Sequence, residues 1–220
     1  MAASRPARAR MPGAKRRSQL IEAALGVFSR QGYRGATTKE IAAQAGVAEG
    51  LVFRYFPSKE ALYTAVLDSR LNSPEEREWR TEILELMDRE DEEAVIRSMI
   101  RHTIRRYRRD PRFERVVLFA ALEGHQSGLA RLGETIDPHL LSVLGYIARG
   151  QEAGTLLQGD PNTIQIAIDG MANFYGIITQ IFRLPIWREP EEATIELLTR
   201  IAMHGVSQSK STSSRKKANR

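Results

Sequence analysis

The sequence predicts an all-α fold with two parts, a short N-terminal unit of three helices followed by a longer helical domain. Apolar residues recur at spacings of three and four along most of the 220 residues, and no stretch alternates with a period of two for long. Glycine and proline interrupt these segments at intervals that suit helix ends. The length is enough for one sizeable core or two smaller ones.

The first helix is predicted over about Lys15–Gln31. One helical stripe runs along it, formed by Leu20, Ile21, Ala24, Leu25 and Phe28. Gly32 and Gly35 then end this helix.

Two short helices separated by a glycine are predicted next. Thr37, followed three residues later by Glu40, is typical of a capping box and begins a helix that ends at Ala45. Gly46 tolerates the positive φ of a sharp reversal, and a second helix runs from Ala48 to about Phe56. This helix–glycine–helix pattern indicates a helix-turn-helix.

The rest of the chain is also predicted to be helical. Ser58 caps a helix from Lys59 to about Leu71, and Asn72-Ser73-Pro74 forms the hinge between the two domains. Further helices are expected near 75–88, 92–109, 112–124, 136–153, 162–183 and 190–206. The turns between them are expected at Asp110-Pro111, Gly128, Gly154, Gly159-Asp160-Pro161 and Glu189-Pro190. The predicted division is a basic arm (1–14), a helix-turn-helix domain (15–72), a second helical domain (73–206) and a basic tail (207–220).

Charge is divided unevenly along the chain. Residues 1–59 carry 11 Lys and Arg against three acids, residues 208–220 carry five basic side chains and no acid, and the middle carries 17 basic residues against 24 acids. A basic head on an acidic body is typical of a nucleic-acid-binding protein. The arm (Arg5, Arg8, Arg10, Lys15, Arg16, Arg17) and the tail (Lys210, Arg215, Lys216, Lys217) are either solubilising or groups that contact DNA.

Several classes of function are disfavoured by composition. The absence of cysteine excludes disulfides, thiol nucleophiles and cysteine-ligated zinc, and no apolar run approaches the ~18 residues of a membrane span. The four histidines lie at no metal-ligand spacing, and no phosphate-binding loop or nucleophile elbow occurs. We therefore expect a cytoplasmic protein that is not an enzyme, with no cofactor, no metal and no membrane partner.

The helix-turn-helix region resembles the TetR family of bacterial regulators over about residues 16–67. The resemblance lies in Gly32-Tyr33, Thr37-Thr38, Ile41-Ala42, Ala45-Gly46-Val47, Gly50, Phe53, Tyr55-Phe56, Ser58-Lys59-Glu60 and Leu62. It implies a homodimer that binds double-stranded DNA, usually as a repressor, and releases it when a small molecule enters the C-terminal domain.

The predicted DNA contacts lie on the second short helix and beside it. They are Thr38, Ala48, Glu49, Gly50, Phe53, Arg54, Tyr55 and Lys59. The resemblance implies phosphate contacts for Thr38, Tyr55 and Lys59. It also implies close approach of the DNA backbone at Gly50 and a position often held by Tyr at Phe53. Glu49 and Arg54 are expected to set sequence preference, because these side chains can pair with cytosine and guanine. Phe53 and Tyr55 have core packing as their alternative.

Effector and dimer contacts are predicted in the second domain. Candidate effector residues are Met99, His102, Phe119, His125, Tyr146, Phe174 and Tyr175. A heptad seam for self-association comprises Ile164, Ile168, Met171, Tyr175, Ile178 and Phe182, joined by Ile195 and Leu198 on the last helix. Intramolecular core packing is the alternative for this seam. The arginines of 92–109 form either a solvated face or a site for an anionic effector.

These observations predict a sequence-specific DNA-binding transcriptional regulator, a repressor released from its operator by a small-molecule effector. Two alternatives stay open, namely a DNA-binding activator without an effector, and an all-α protein-interaction adaptor. The polar exposed face of residues 48–54 favours DNA over a membrane surface, which would need a large apolar face.

Overall fold

The structure, a computed structural model, describes residues 12–185 and 190–206, and the regular elements in these two ranges are helical. The helices are α1 (Gly13–Gly35), α2 (Thr38–Ala45), α3 (Glu49–Tyr55), α4 (Lys59–Leu71), α5 (Pro74–Asp88), α6 (Glu92–Arg109), α7 (Arg112–Glu123), α8 (Gln126–Glu152), α9 (Pro161–Gly176) and α10 (Glu191–Val206). A π-helical segment, Ile177–Ile181, continues α9. The all-α prediction is confirmed. Most of the predicted basic arm and all of the tail lie outside the described residues.

The helices form two compact units that interleave along the chain. The first unit comprises residues 1–78 and 110–136, and the second comprises residues 79–109 and 137–220. The sequence predicted one boundary between the domains, at residue 72. In the structure α7 lies beyond that boundary in sequence but packs with α1–α4 in the first unit. The assignment of a DNA-binding and a ligand-binding domain to these segments stays a prediction.

In the first unit, α7 belongs with α1 because the two helices pack along their length. Phe113 and Val116 of α7 share one apolar core with Leu20 and Phe28 of α1. Polar contacts follow the same line. The Arg112 guanidinium pairs with the Glu22 carboxylate at 2.5 Å, and Arg115 Nε donates to the Ser29 carbonyl at 2.7 Å. Burial of this interface is what brings residues so distant in sequence into one unit.

The helix ends predicted around the helix-turn-helix are confirmed. The Thr37 hydroxyl accepts from the Glu40 amide at 3.2 Å, and the Glu40 carboxylate accepts from the Thr37 amide at 3.0 Å, which completes the capping box. Gly46 ends α2 in the left-handed region with φ of 65°. Ser58 caps α4 by accepting from the Ala61 amide at 3.0 Å.

The first helix contains a backbone break at Gly32, one residue after its predicted end. Gly32 has φ of 71° and ψ of −176°, a conformation that is essentially restricted to glycine. Beyond the break, the amides of Tyr33 and Arg34 donate to the carboxylate of Glu123 at 3.0–3.3 Å. A carboxylate from the end of α7 therefore satisfies backbone donors that the break releases from the helix.

The turn predicted at Gly128 is wrong. The chain reverses at Gly124, which ends α7 with φ of 62°, and Gly128 lies inside α8. A Cβ atom at Gly128 would lie 2.9 Å from Cε1 of Tyr63 and 2.7 Å from Nδ1 of His125. Glycine at this position therefore allows close helix packing, and sequence alone does not distinguish that role from a turn.

In the second unit, α6 packs on α9 and α10 around its own apolar core. Its arginines form ion pairs within α6 and with neighbouring helices, namely Arg97 with Glu93 and Glu196, Arg101 with Glu82, Arg105 with Glu191 and Glu192, and Arg108 with Glu191. Carboxylates of α5, α6 and α10 already pair with these guanidinium groups. A binding site for an anionic effector on the arginines of α6 is therefore disfavoured. Within the described ranges, no helix is both long and apolar enough to cross a lipid bilayer.

We expect Gly32→Ala to destabilise the first unit more than Gly46→Ala. Both positions have positive φ, but a Cβ at Gly32 would lie 2.1 Å from Oε1 of Glu123, whereas a Cβ at Gly46 has no neighbour within 4 Å. Backbone strain accounts for about 1–2 kcal/mol at Gly46. At Gly32 we expect about 3 kcal/mol, because the Glu123 cap is displaced as well. Urea unfolding measures both values, and equal losses would contradict the role assigned to Glu123.

Candidate nucleic-acid interface and internal cavity

The second helix of the helix-turn-helix has one covered face and one open face. Val52 and Phe56 are buried against α1, α2 and α4. On the opposite side Ala48, Gly50 and Arg54 are exposed, and the ring of Phe53 is 48% exposed. Phe53 is therefore not packed in the core, which was its alternative role. Its ring and the side chain of Arg54 are both exposed on the open face of α3.

The orientation of α2 is fixed by polar contacts with α1. Gln19 Nε2 donates to the carbonyl of Ala45 at 2.8 Å, and Arg30 donates to the side chain of Gln44 at 2.5 Å. Lys39 on α2 is exposed and adds positive charge to the open surface. Three features therefore hold this short helix, namely its capping box, the contacts to α1 and the Gly46 reversal.

Thr38 and Glu49, which were predicted as separate DNA contacts, are bonded to each other. The Thr38 hydroxyl donates to Oε1 of Glu49 at 2.5 Å across the helix-turn-helix. Glu49 therefore anchors the start of α3 to the start of α2. A phosphate contact by the Thr38 hydroxyl would have to compete with this carboxylate for the hydroxyl proton.

Gly50 lies on the open surface with no internal reason to be glycine. A Cβ atom added at this position would meet nothing within 4 Å, and its backbone is not in the positive-φ region. The close-approach role predicted for Gly50 therefore depends on an external partner. Tyr55 is half-buried and packs against the core of the first unit, which agrees with core packing, the alternative given above to a phosphate contact.

Lys59 makes internal contacts that the sequence did not reveal. Its Nζ donates to the carbonyls of Tyr33 and Ala36 at 2.8 and 2.9 Å, and it lies 4.4 Å from the centroid of the Tyr33 ring. Two of the three Nζ donors are thus used inside the protein, and the phosphate contact of Lys59 stays a prediction. The unfavourable placement of a cation at the start of α4 is offset by carbonyls beyond the Gly32 break.

His125, predicted as an effector residue, lies in the first unit among residues of α1 and α4. Its ring stacks on Tyr33 at 4.1 Å between centroids, and its Nε2 is 3.1 Å from Oε2 of Glu60. Ser127 donates to the other Glu60 oxygen at 2.7 Å. Burial tends to raise the pKa of Glu60, but hydrogen bonds with Ser127, Tyr33 and His125 hold that pKa below its usual value. His125 therefore lies in the first unit, apart from the cavity described next, and its role as an effector contact stays a prediction.

The second unit contains a small cavity between α6, α8 and α9. Met99 and Tyr146, two of the predicted effector residues, line it together with Val143, Leu156, Ile164 and Ile168. Its volume of about 20 Å³ has room for a single water-sized group. Tyr146 contributes only ring carbons to this lining, which is apolar throughout.

The other predicted effector residues lie outside this cavity. His102 stacks on Trp79 at 4.0 Å, and Tyr175 packs on the core of the second unit. Phe119 belongs to the first unit, close to Gly32, and Phe174 is exposed. Of the seven predicted effector residues, only Met99 and Tyr146 thus line the same space. In the ranges 12–185 and 190–206, no cluster of His, Asp and Glu could hold a metal ion.

The predicted dimer seam lies mostly in the core of the second unit. Ile164, Ile168 and Ile195 are buried in that core, so their assignment to an interface is wrong. Met171, Tyr175 and Leu198 are partly buried and pack against the same core, and Ile178 is half-buried. Among these eight residues only Phe182 is exposed.

The exposed apolar face of α9 is offset by two residues from the predicted seam. Ile166 and Phe174 are 65% and 63% exposed, and Gly170 lies between them at the same spacing of four. Leu197 and Ile201 on the neighbouring helix α10 are also exposed. We call these five residues the α9–α10 apolar face.

We expect Lys59→Met to lower the free energy of unfolding by about 1–3 kcal/mol, because the carbonyls of Tyr33 and Ala36 lose their donor. Lys59→Arg retains a cation and tests whether charge alone suffices. Chemical denaturation of the full chain measures both variants. A loss of DNA affinity with no loss of stability in Lys59→Met would instead support the phosphate role.

Comparison with known proteins agrees with this architecture. Residues 20–66 match the family model of the bacterial regulatory proteins, tetR family. Over 60 residues the chain is 47% identical to the HTH-type transcriptional regulator RutR of Escherichia coli (strain K12), a segment that covers 27% of this chain and 28% of RutR. Over 138 residues it is 28% identical to the HTH-type transcriptional repressor NicS of Pseudomonas putida, covering 63% of this chain and 62% of NicS. Both matches thus span less than two thirds of the relative.

The fold as a whole is shared with solved structures. The regulator FadR from Bacillus subtilis, solved in complex with stearoyl-CoA, superposes with a TM-score of 0.65 at 18% identity, covering 86% of this chain and 98% of FadR. At this identity the likeness concerns the fold alone, whereas the family rests on the match over residues 20–66. Residues 20–66 of this chain therefore form a helix-turn-helix of the TetR family of bacterial regulatory proteins.

Proposed function

We propose that this chain is a homodimeric transcriptional regulator that binds double-stranded DNA through α2 and α3 and is released by a small molecule held in the second unit. The observation that carries the DNA-binding part is the open face of α3, where Phe53 and Arg54 stand exposed beside Gly50. RutR and NicS, which are similar over the helix-turn-helix, are a transcriptional regulator and a transcriptional repressor by name.

The chemistry of this face suits the major groove of DNA. Arg54 can donate two hydrogen bonds to one guanine, and the Phe53 ring can contact a thymine methyl group. The open space above Gly50 allows a sugar–phosphate backbone to approach α3 closely. In a helix-turn-helix it is the second helix that enters the groove, so these three residues lie where base contacts are made.

Positive charge around the helix-turn-helix supports binding to phosphate. Lys39 and Arg34 are exposed, and Lys15 is exposed in the first turn of α1. A lysine at a helix N-terminus opposes the helix dipole, so its position there favours an external anion as its partner. Arg17 instead covers the Phe56 ring at 5.1 Å, and Arg16 bonds to Gln19.

The α9–α10 apolar face supports association with a second copy. Its five residues lie on two adjacent helices, which is the arrangement needed for a helical interface, and large exposed apolar patches mark interaction surfaces. A two-fold dimer would set two recognition helices against two half-sites, about 34–36 Å apart or a multiple of this.

Release of DNA by a ligand requires that the ligand bind one conformation better than the other. The cavity between α6, α8 and α9 is the place in the second unit where such a ligand would insert. Because FadR was solved with stearoyl-CoA, a member of this fold holds a small molecule. An activator that needs no effector has the same α3 face, and the DNA experiments below separate it from a repressor by the effect of ligand.

We expect Arg54→Ala to weaken sequence-specific DNA binding by about 1–3 kcal/mol while leaving weak non-specific binding nearly unchanged. Lys39→Ala should weaken binding to every sequence and reduce the salt dependence by about one unit of slope. The measurement is fluorescence anisotropy on the DNA immediately upstream of the gene for this chain, with a scrambled fragment beside it and several salt concentrations.

The control for these variants is Arg89→Ala, which removes an exposed arginine from the second unit. This variant should bind as the wild type does. If all three variants bind equally, or if both DNA fragments bind equally well, the α3 face is not a sequence-reading surface. An all-α adaptor would then be the better description.

We expect Phe174→Glu to shift the chain from dimer to monomer, because a carboxylate would be buried without a partner in the apolar interface. The matched control is Leu122→Glu, which places the same charge on α7, where the side chain is 85% exposed. Sedimentation velocity of both variants gives the oligomeric state. A dimer that survives Phe174→Glu would show that another surface joins the two copies.

A further inference from the structure

The direction of α3 is fixed by few of its own side chains. Val52 is the residue of this helix that is buried, and Ala48 at its N-cap makes no side-chain hydrogen bond. Helices α2 and α4 differ from it, because Thr37 and Ser58 cap them. A helix of seven residues is too short to be stable alone, so its direction depends on contacts with its neighbours.

One hydrogen bond joins the first turn of α3 to α2. The Thr38 hydroxyl donates to Oε1 of Glu49 at 2.5 Å, and both residues are partly buried. Among residues 12–185 and 190–206, no other side chain of α3 is hydrogen-bonded to another helix. Hydrogen bonds to an ionised carboxylate are about twice as strong as those between neutral groups. This bond therefore holds the first turn of α3 against α2, while Val52 holds its middle.

The bond leaves Thr38 poorly placed to bind a phosphate. A hydroxyl has one proton to donate, and the proton of Thr38 is directed at Glu49. Toward a phosphate oxygen this hydroxyl would offer only lone pairs, and the carboxylate beside it would repel the phosphate charge. The phosphate contact that the family resemblance implies for Thr38 therefore conflicts with the partner that this residue has in the chain.

Glu49 also places a negative charge beside the open face of α3. It is the one acidic residue in the sequence between Glu40 and Glu60. Exposed cations occur on both helices that it joins, Lys39 on α2 and Arg54 on α3. Attraction between cations and the phosphate backbone provides most of the affinity for DNA of any sequence, so a carboxylate at this place lowers that affinity.

We infer that Glu49 is a positioning residue for base recognition. Held by the Thr38 hydroxyl, it sets the direction in which α3 presents Phe53 and Arg54, and its charge lowers the affinity for DNA of every sequence. The preference for one sequence then depends on the bond, whereas the general affinity depends on the charge. The inference rests on the proposed function, because it requires α3 to enter the major groove.

Four variants separate the bond from the charge. Glu49→Gln keeps an oxygen acceptor for Thr38 and removes the charge, whereas Glu49→Ala removes both. Thr38→Val removes the hydroxyl with little change of shape, and Thr38→Ser keeps the hydroxyl. Each full-length variant is measured by fluorescence anisotropy on the upstream and scrambled DNA fragments at several salt concentrations.

The expected results differ between the two kinds of change. Glu49→Gln should strengthen binding to both fragments about threefold and keep the ratio of their affinities within about twofold of the wild type. Thr38→Val should lower that ratio about tenfold by weakening binding to the upstream fragment alone, and Glu49→Ala should lower the ratio equally. Thr38→Ser should keep the wild-type ratio, which separates the effect of the hydroxyl from the packing of the threonine side chain.

Unfolding in the absence of DNA tests the bond by itself. Thr38→Val and Glu49→Ala should each lower the urea midpoint, and the double variant should lower it by less than the sum, because each single substitution already breaks the same bond. Glu152→Gln is the matched charge control, since it removes an exposed carboxylate at the end of α8 in the second unit. This control should keep the urea midpoint and both DNA affinities of the wild type.

Three outcomes would overturn the inference. A ratio lowered about tenfold by Glu49→Gln would show that Glu49 itself reads a base. Equal weakening of both fragments by Thr38→Val, repeated in the Glu49→Ala background, would show a phosphate contact by Thr38. Urea shifts that add would show that the two side chains act independently.

The failure of the proposed function gives a different result. Equal binding of both fragments by the wild type would reject the proposed function together with the inference. A wild-type preference that survives both Thr38→Val and Glu49→Ala would reject the inference alone.

Discussion

The carboxylate of Glu123 at the Gly32 break is the contact on which the geometry of the first unit depends. Gly32 turns the backbone out of α1, and Glu123 accepts from the next two amides. Without that carboxylate, two backbone donors would lose their protein partner, and without glycine the carboxylate would be displaced. Together they fix the direction of the chain after Gly32 and hence where α2 begins, six residues beyond this glycine.

The segment from Tyr33 to Ala36, which joins the Gly32 break to α2, is held by three side chains. Glu123 binds its amides, Lys59 binds the carbonyls of Tyr33 and Ala36, and His125 stacks on the Tyr33 ring. The carboxylates of Glu123 and Glu60 and the ammonium group of Lys59 lie around the stacked rings of Tyr33 and His125. This arrangement explains why α7 and the start of α8 pack with the helix-turn-helix although they follow it by more than 40 residues. The pose of α2 and α3 therefore depends on residues that no local pattern connects to them.

Sequence signals predicted the parts of the fold that are determined locally. Thr37 with Glu40, Gly46 and Ser58 each act on a backbone within four residues, and these helix ends were predicted correctly. Glu123 and Lys59 act across 90 and 26 residues, and their roles followed from no spacing in the chain. Gly128 shows the same limit, because a glycine that allows close packing looks in sequence like one that makes a turn. Residue type alone suggested Met99, Tyr146 and His125 as effector residues, and only the packing of α6 against α8 and α9 shows that Met99 and Tyr146 share one cavity while His125 lies elsewhere.

Helix α9 shows why the predicted dimer seam differs from the apolar face that is exposed in the structure. Periodicity reveals that a helix has an apolar stripe, yet α9 has two, with Ile164 and Ile168 facing its own core and Ile166 and Phe174 facing outward. A helix that is apolar on both sides needs a partner on each. The inner side of α9 is also a wall of the cavity, since Ile164 and Ile168 line it. In the proposed dimer, one rigid element would therefore touch the ligand on one side and the second copy on the other. A ligand that enlarges the cavity by moving α9 would thereby change the surface on which the two copies of the proposed dimer meet.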